Sequence, residues 1–188
     1  MGSFYVNYTV KVADQKAVAG AMSGRKAYVS RVNNGCVVVL DEASETQDQR
    51  VIVALARELS EKLSCAVLAV LNHDDDILWY ALAENGKLVD SYDSSPGYFD
   101  PDAEPSSPAG GDAKKLCSAF GSSSDDNVER ILRKSSYDDD GYVFAVERHA
   151  ELTKALGIPD LAAGAGFHYV VGGDLPENFS ADDFTLVS

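Results

Sequence analysis

"CAVLAVL", residues 65–71, is apolar at every position. A short apolar run without polar alternation reads as a central strand covered on both faces. The segments on either side give that strand its place. Just before it, residues 46–64 carry Ile52, Leu55, Ala56, Leu59 and Leu63 at helical spacing, behind a Thr46/Gln49 capping box. Before that helix lie "KAYVSRV" (26–32) and "CVVVLDE" (36–42), two strands separated by "NNG" at 33–35. Asn-Gly between strand patterns is a strong signal for a two-residue hairpin. Earlier still, Asp14 caps a short helix with Val18, Ala21 and Met22, ending near Gly24. The chain opens on "SFYVNYTVKV" (3–12). Here Phe4, Val6, Tyr8, Val10 and Val12 alternate with Tyr5, Asn7, Thr9 and Lys11, as in a half-buried strand.

The order is β-α-β-β-α-β, the connectivity of a ferredoxin-like α+β core with both helices on one face of the sheet. A second hairpin extends it: "ILWYALA" (77–83), the turn Asn85-Gly86, then "KLVDSY" (87–92). A two-residue turn predicts that Glu84 faces Lys87, Leu82 faces Val89 and Trp79 faces Tyr92. Trp79 and Tyr92 read as packing residues rather than as a ligand platform. Residues 1–93 thus form the sheet core, and 94–112, rich in Pro, Gly and Ser, form a long loop that Tyr98 and Phe99 pin to the body. Residues 113–188 are a helical addition packed on the core within a single domain. Its helices read as "DAKKLCSAF" (112–120), "NVERILRK" (127–134) and a helix beginning near Tyr142 that stops at Gly157 and Pro159. "GFHYVV" (166–171) reads as the final strand, with His168 half-buried.

Charge is uneven. The net charge is -14. Residues 1–60 hold 7 Lys/Arg against 6 Asp/Glu, a balance of +1, and residues 61–188 hold 9 against 24, a balance of -15. Nucleic acid and anionic membrane both need a basic footprint and are disfavoured; a basic protein is the partner this field attracts. Cys36, Cys65 and Cys117, an odd set without CxxC spacing, read as reduced core thiols of a cytoplasmic protein. No apolar run nears the roughly 20 residues that span a bilayer. "MGSFYV" begins as a myristoylation site does, but Val6 stands where Ser or Thr is required.

Two acidic stretches carry candidate chemistry. With Gly141 at position 6 of an EF-hand-like loop over 136–147, Asp138, Asp140, the Tyr142 carbonyl and Glu147 fall at positions 3, 5, 7 and 12, a spacing suited to Ca²⁺. Ser136 at position 1 and Phe144 at position 9 depart from that pattern. The competing reading makes the aspartates 138–140 a cap on the following helix, favoured by its dipole. In "NHDDD" (72–76), His73 with Asp74 and Asp76 is a candidate metal or acid–base group, and equally a hairpin turn. His149 lies off the face shared by Glu147 and Glu151, so the final helix is no HExxH site. GxSxG, a P-loop and GxGxxG opening a helix are all missing. The functional expectation is a non-enzymatic, acidic interaction or regulatory protein. The alternatives are a Ca²⁺-responsive module through 136–147 and a small hydrolase using His73 and neighbouring carboxylates.

"LWYALAENGKLVDSYDSSPGYF" and "SSYDDDGYVFAVERHAELTKALGIP" resemble segments of uncharacterised bacterial proteins of similar length. The resemblance spans roughly residues 65 to 175. It implies a bacterial cytoplasmic origin and brings no activity or cofactor.

Overall fold

A computed structural model describes residues 2–100, 102–104, 106–135, 138, 139, 141–175 and 179–188. The protein is a mixed α+β structure around one eight-stranded sheet. Its strands are β1 (Tyr5–Val10), β2 (Ala27–Ser30), β3 (Val37–Asp41), β4 (Ala66–His73), β5 (Ile77–Glu84), β6 (Lys87–Asp93), β7 (Ala109–Gly110) and β8 (Phe184–Val187). They lie in the order β7-β6-β5-β4-β1-β3-β2-β8, and every pairing is antiparallel. The helices are α1 (Gln15–Ala21), α2 (Gln49–Leu63), α3 (Ala113–Phe120), α4 (Asp125–Arg133), α5 (Ala145–Leu156) and α6 (Phe167–Gly172).

The alternation along the central strands sorts two apolar cores. Val6, Tyr8 and Val10 of β1 join Val67, Ala69 and Leu71 of β4 beneath Ile52, Leu55 and Leu59 of α2 and Val18 of α1. On the opposite face Leu68, Val70, Leu78, Tyr80 and Leu82 pack against α3, α4 and α5. β4 is buried on both faces, as its unbroken apolar run predicts, and α1 and α2 share one face. A third cluster, with Val38, Leu40, Ala165 and Phe167, seats the 159–170 segment against β3.

That segment changes the first strand. β1 is buried along its whole length rather than half-buried, because residues 162–165 cover its second face: Asn7 Nδ2 donates to Ala162 O and Ala165 O at 2.7 and 2.9 Å. The final strand is β8, not 166–171. Phe167 and Val170, three apart, are buried while His168 and Val171 are exposed, so a helical face overrides the apparent alternation and forms α6. Gly166 lets this helix start against β1, where a Cβ would come within 2.7 Å of Tyr5 Cβ. His168 is accordingly a surface residue. The sheet therefore gains β8 at one edge and, through the end of the 94–112 loop, β7 at the other.

The start of α2 also differs from expectation. Residues 42–46 form a 3₁₀ turn, and α2 begins at Gln49 with Asp48 as its cap, accepting from Arg50 N–H at 2.9 Å; Thr46 instead donates to Ala43 O. Both Asn-Gly turns hold positive φ at Asn34/Gly35 and Asn85/Gly86, as a two-residue hairpin turn requires. In the second hairpin Glu84 faces Lys87, but a bulge between Leu82 and Ala83 then shifts the pairing by one. Trp79 meets Asp93, and Tyr92 stacks on Tyr80 at 5.3 Å instead of facing Trp79. The shift brings Asp90 to the Tyr80 hydroxyl at 2.7 Å.

Candidate functional site

At the end of β4 the chain turns through His73-Asp74-Asp75-Asp76 with φ positive at Asp74 and Asp75, and the ends of three strands converge there with the entry to α2. A cavity of about 580 Å³ opens between them. Its walls include His73 from β4, Trp79 from β5, Asp93 and Ser95 from the end of β6, Gln47 before α2, and Tyr98 to Asp100 from the long loop. Among the described residues no lysine or arginine lines it. Trp79 lies on the α2 face of the sheet and is 8% exposed, so it is packing residue and cavity wall at once.

His73 is held in one orientation. Gln47 occupies the left-handed region, φ 58°, and its Nε2 donates to Asn72 O at 2.8 Å. That bond points Oε1 at His73 Nδ1, 2.5 Å away. An amide oxygen only accepts, so Nδ1 is the donor in this contact and Nε2 is not engaged by Gln47. Three further rings stand edge-on to the imidazole: Phe4 at 4.9 Å, Phe99 at 5.0 Å and Tyr98 at 6.1 Å. Phe99, 68% exposed, and Tyr98, 42% exposed, pin the loop by these contacts while their outer faces stay open.

Two carboxylates give the cavity its sign. Asp93 accepts from Ser95 N–H at 2.9 Å, and burial pushes its carboxyl above the usual range. Asp100, at the rim, is exposed. Outside, Tyr98 donates to Asp76 Oδ2 at 2.7 Å, and this bond, ahead of desolvation, pushes the phenol up to about 12.

The turn aspartates of 72–76 have separate tasks. Asp76 holds Tyr98. Asp75 Oδ1 accepts from Asn72 Nδ2 at 3.0 Å and Oδ2 from Ser3 Oγ at 2.9 Å. The same residue serves the first turn of α5, its carbonyl taking Ala145 N–H at 2.6 Å and Oδ1 taking Val146 N–H at 3.3 Å. The helix therefore begins at Ala145 rather than near Tyr142, and it is capped across space by Asp75. His73 meets Gln47 in this cluster, while Asp75 and Asp76 serve backbone and phenol donors.

In the 136–147 loop, Asp138 and Glu147 each accept from a nearby backbone N–H. Asp138 Oδ2 accepts from Ser135 N–H at 2.8 Å, and Glu147 Oε2 accepts from Phe144 N–H at 3.1 Å. Tyr142 is buried with the Arg148 guanidinium 4.6 Å from its ring centre, and its hydroxyl donates to Glu151 at 2.7 Å. Asp140 and Ser136 lie outside the described residues. Among the described residues no group of three or more His, Cys, Asp or Glu is placed to hold a metal ion. Nor, among them, is any helix long and apolar enough to cross a membrane.

Of the residues lining this cavity, the sequence singles out His73 as a candidate but not Gln47 or Asp93, and it reads Trp79 as packing. Asp93 enters the site only through the bulge in the β5–β6 hairpin, and Gln47 only through its left-handed backbone; neither has a local signal. Comparison of the chain with protein-family models, with curated proteins and with solved structures found no match.

Proposed function

We propose that the protein is an acidic interaction module whose cavity takes a cationic side chain from a basic partner. The observation that carries this reading is the pairing of aromatic walls, Trp79, His73, Tyr98 and Phe99, with the carboxylates of Asp93 and Asp100 and no basic side chain. A cation over aromatic faces gains electrostatic attraction, more so when water is displaced. Asp93 strengthens the case: burial penalises its charge, and a guest guanidinium or ammonium supplies the missing counter-ion. The -15 balance of residues 61–188 steers such a partner toward this surface. Three free thiols fit an intracellular setting. In the same reading the β4-β1-β3-β2 order, with α1 between β1 and β2 and α2 between β3 and β4, supports a ferredoxin-like core.

The chain holds a single tryptophan, so its fluorescence reports on the cavity directly. Titration with N-acetyl-arginine amide and with arginine-containing peptides should change that emission. Asp93→Asn should weaken binding about tenfold, roughly the 1.4 kcal/mol of one partly buried charge contact. Affinity that ignores both Asp93→Asn and a rise in salt would overturn the proposal.

A further inference from the structure

The Trp79 indole borders a second concavity as well. A shallower groove of about 420 Å³ runs along α2, lined by Gln49, Arg50, Val53, Ala54, Arg57 and Trp79. Gln49 and Trp79 belong to both hollows, so groove and cavity adjoin across these two residues, together called the cleft below. Its two ends have opposite sign. Among the described residues, the cavity carries Asp93 and Asp100 without Lys or Arg, and the groove carries Arg50 and Arg57 without a carboxylate.

The two arginines differ. Arg50 is taken by Asp48, with Nη2 at 2.7 Å and Nε at 3.1 Å from the carboxylate oxygens. Arg57 pairs with no carboxylate among the described residues. It donates Nε–H to Gly86 O at 2.8 Å, and Gly86 N–H donates to Ser60 Oγ at 3.0 Å. The β5–β6 turn is thereby locked to α2, and the Arg57 guanidinium is anchored by one edge on the exposed surface. An anchored planar fork loses little freedom on meeting a carboxylate.

We infer that the cleft takes an extended peptide segment of the partner, in which the lysine or arginine entering the cavity is accompanied by an acidic residue seated on Arg57. This rests on the cation-binding reading above and adds a second subsite to it. The spacing follows from helix geometry. Arg57 lies eight residues beyond Gln49 on α2, about 12 Å at 1.5 Å per residue. An extended chain covers that distance in about four residues. The partner segment therefore carries its acidic and basic side chains about four residues apart, with small or apolar residues between them to cross Trp79, Val53 and Ala54.

The test uses the full chain, Trp79 fluorescence and two synthetic peptides. Each has one arginine and, four residues away in a Gly/Ser spacer that disfavours helix, either glutamate or glutamine; both orders along the peptide are made. The glutamate peptide should bind the wild type about fivefold more tightly in one of the two orders, the size of an exposed, pre-anchored ion pair. Arg57→Gln should abolish the preference, and Arg57→Lys should retain most of it. Equal affinity of the two peptides for the wild type, in both orders, would overturn the inference, as would a preference that survives Arg57→Gln. If arginine binding depends on Asp93 while glutamate and glutamine bind alike, the second subsite fails and the cation pocket stands. If neither peptide binds, or if binding is indifferent to Asp93→Asn, the cation pocket fails and takes the second subsite with it.

Discussion

The two faces of the sheet are built from the same strands and held by different physics. Under α1 and α2 the core is aliphatic almost throughout, with Val6, Val10, Val29, Val37, Val39, Val67 and Ala69 below and Ile52, Leu55 and Leu59 above. Tyr8 reaches into it and sends its hydroxyl to Ser44 Oγ at 2.6 Å. On the other face β1 buries Tyr5, Asn7 and Thr9, and α5 buries Arg148 and His149. Among the described residues, four buried side-chain atoms there have no hydrogen-bond partner: Asn7 Oδ1, Thr9 Oγ1, Arg148 Nη2 and His149 Nε2. The first face is stabilised by area removed from water. The second also buries polar groups, which stabilise only where they are matched and cost free energy where they are not.

The largest test of that contrast is Ile52→Ala. Ile52 is fully buried under α2, and its truncation leaves a cavity worth about 3 kcal/mol. Urea unfolding should show the loss as a lower midpoint at an unchanged slope. A loss below about 1 kcal/mol would mean that this face collapses around the gap and does not carry the stability assigned to it.

Acid should strike the polar face next. His149 Nδ1 lies 2.8 Å from the Tyr5 hydroxyl, and full burial lowers the imidazole pKa to about 3. In the unfolded chain the same group takes its proton near pH 6.5. Between those values the unfolded state binds the extra proton. Stability from this residue is therefore complete above about pH 6.5 and is lost progressively as pH falls toward 3. At pH 5 the loss is about 2 kcal/mol. His149→Gln removes the titration, so its stability should fall between pH 7 and pH 5 by about that much less than the wild type. Equal falls in both proteins would place the acid sensitivity elsewhere.

The same contrast decides what could be read from the sequence. The α1/α2 face was legible because its signals are local: the Ile52–Leu63 stripe, the apolar run at 65–71 and two Asn-Gly turns. The far face of β1 was not, because the groups that meet it lie 144 to 158 residues away in the chain. Nothing in "SFYVNYTVKV" says that Asn7 will meet the carbonyls of Ala162 and Ala165, so its polar side reads as solvent-facing. "GFHYVV" fits strand and helix alike at six residues, and Gly166 against Tyr5 settles it through tertiary contact. In the site, His73 showed itself by residue type alone. Asp93 and Gln47 were hidden by a one-residue bulge and a left-handed backbone, which no pattern of side chains records.

The smallest effect is the sharpest test of the polar face, because its sign is at stake. Thr9 is 1% exposed and its Oγ1 has no partner among the described residues, whereas Asn7 Nδ2 on the same face holds two carbonyls. An unmatched buried hydroxyl costs about 1 kcal/mol or more relative to an apolar group of the same shape. Valine differs from threonine by a methyl in place of that hydroxyl, and it suits a central strand. Thr9→Val should therefore raise stability by about 1 kcal/mol, seen as a higher melting temperature with the native fold kept. Valine on the α1/α2 face offers no such gain, since there the strands already present hydrocarbon. A fall in stability for Thr9→Val would mean that the hydroxyl is matched in solution, by an internal water bridging it to a neighbouring polar group. The far face would then differ from the near one in wetness rather than in unmet hydrogen bonds.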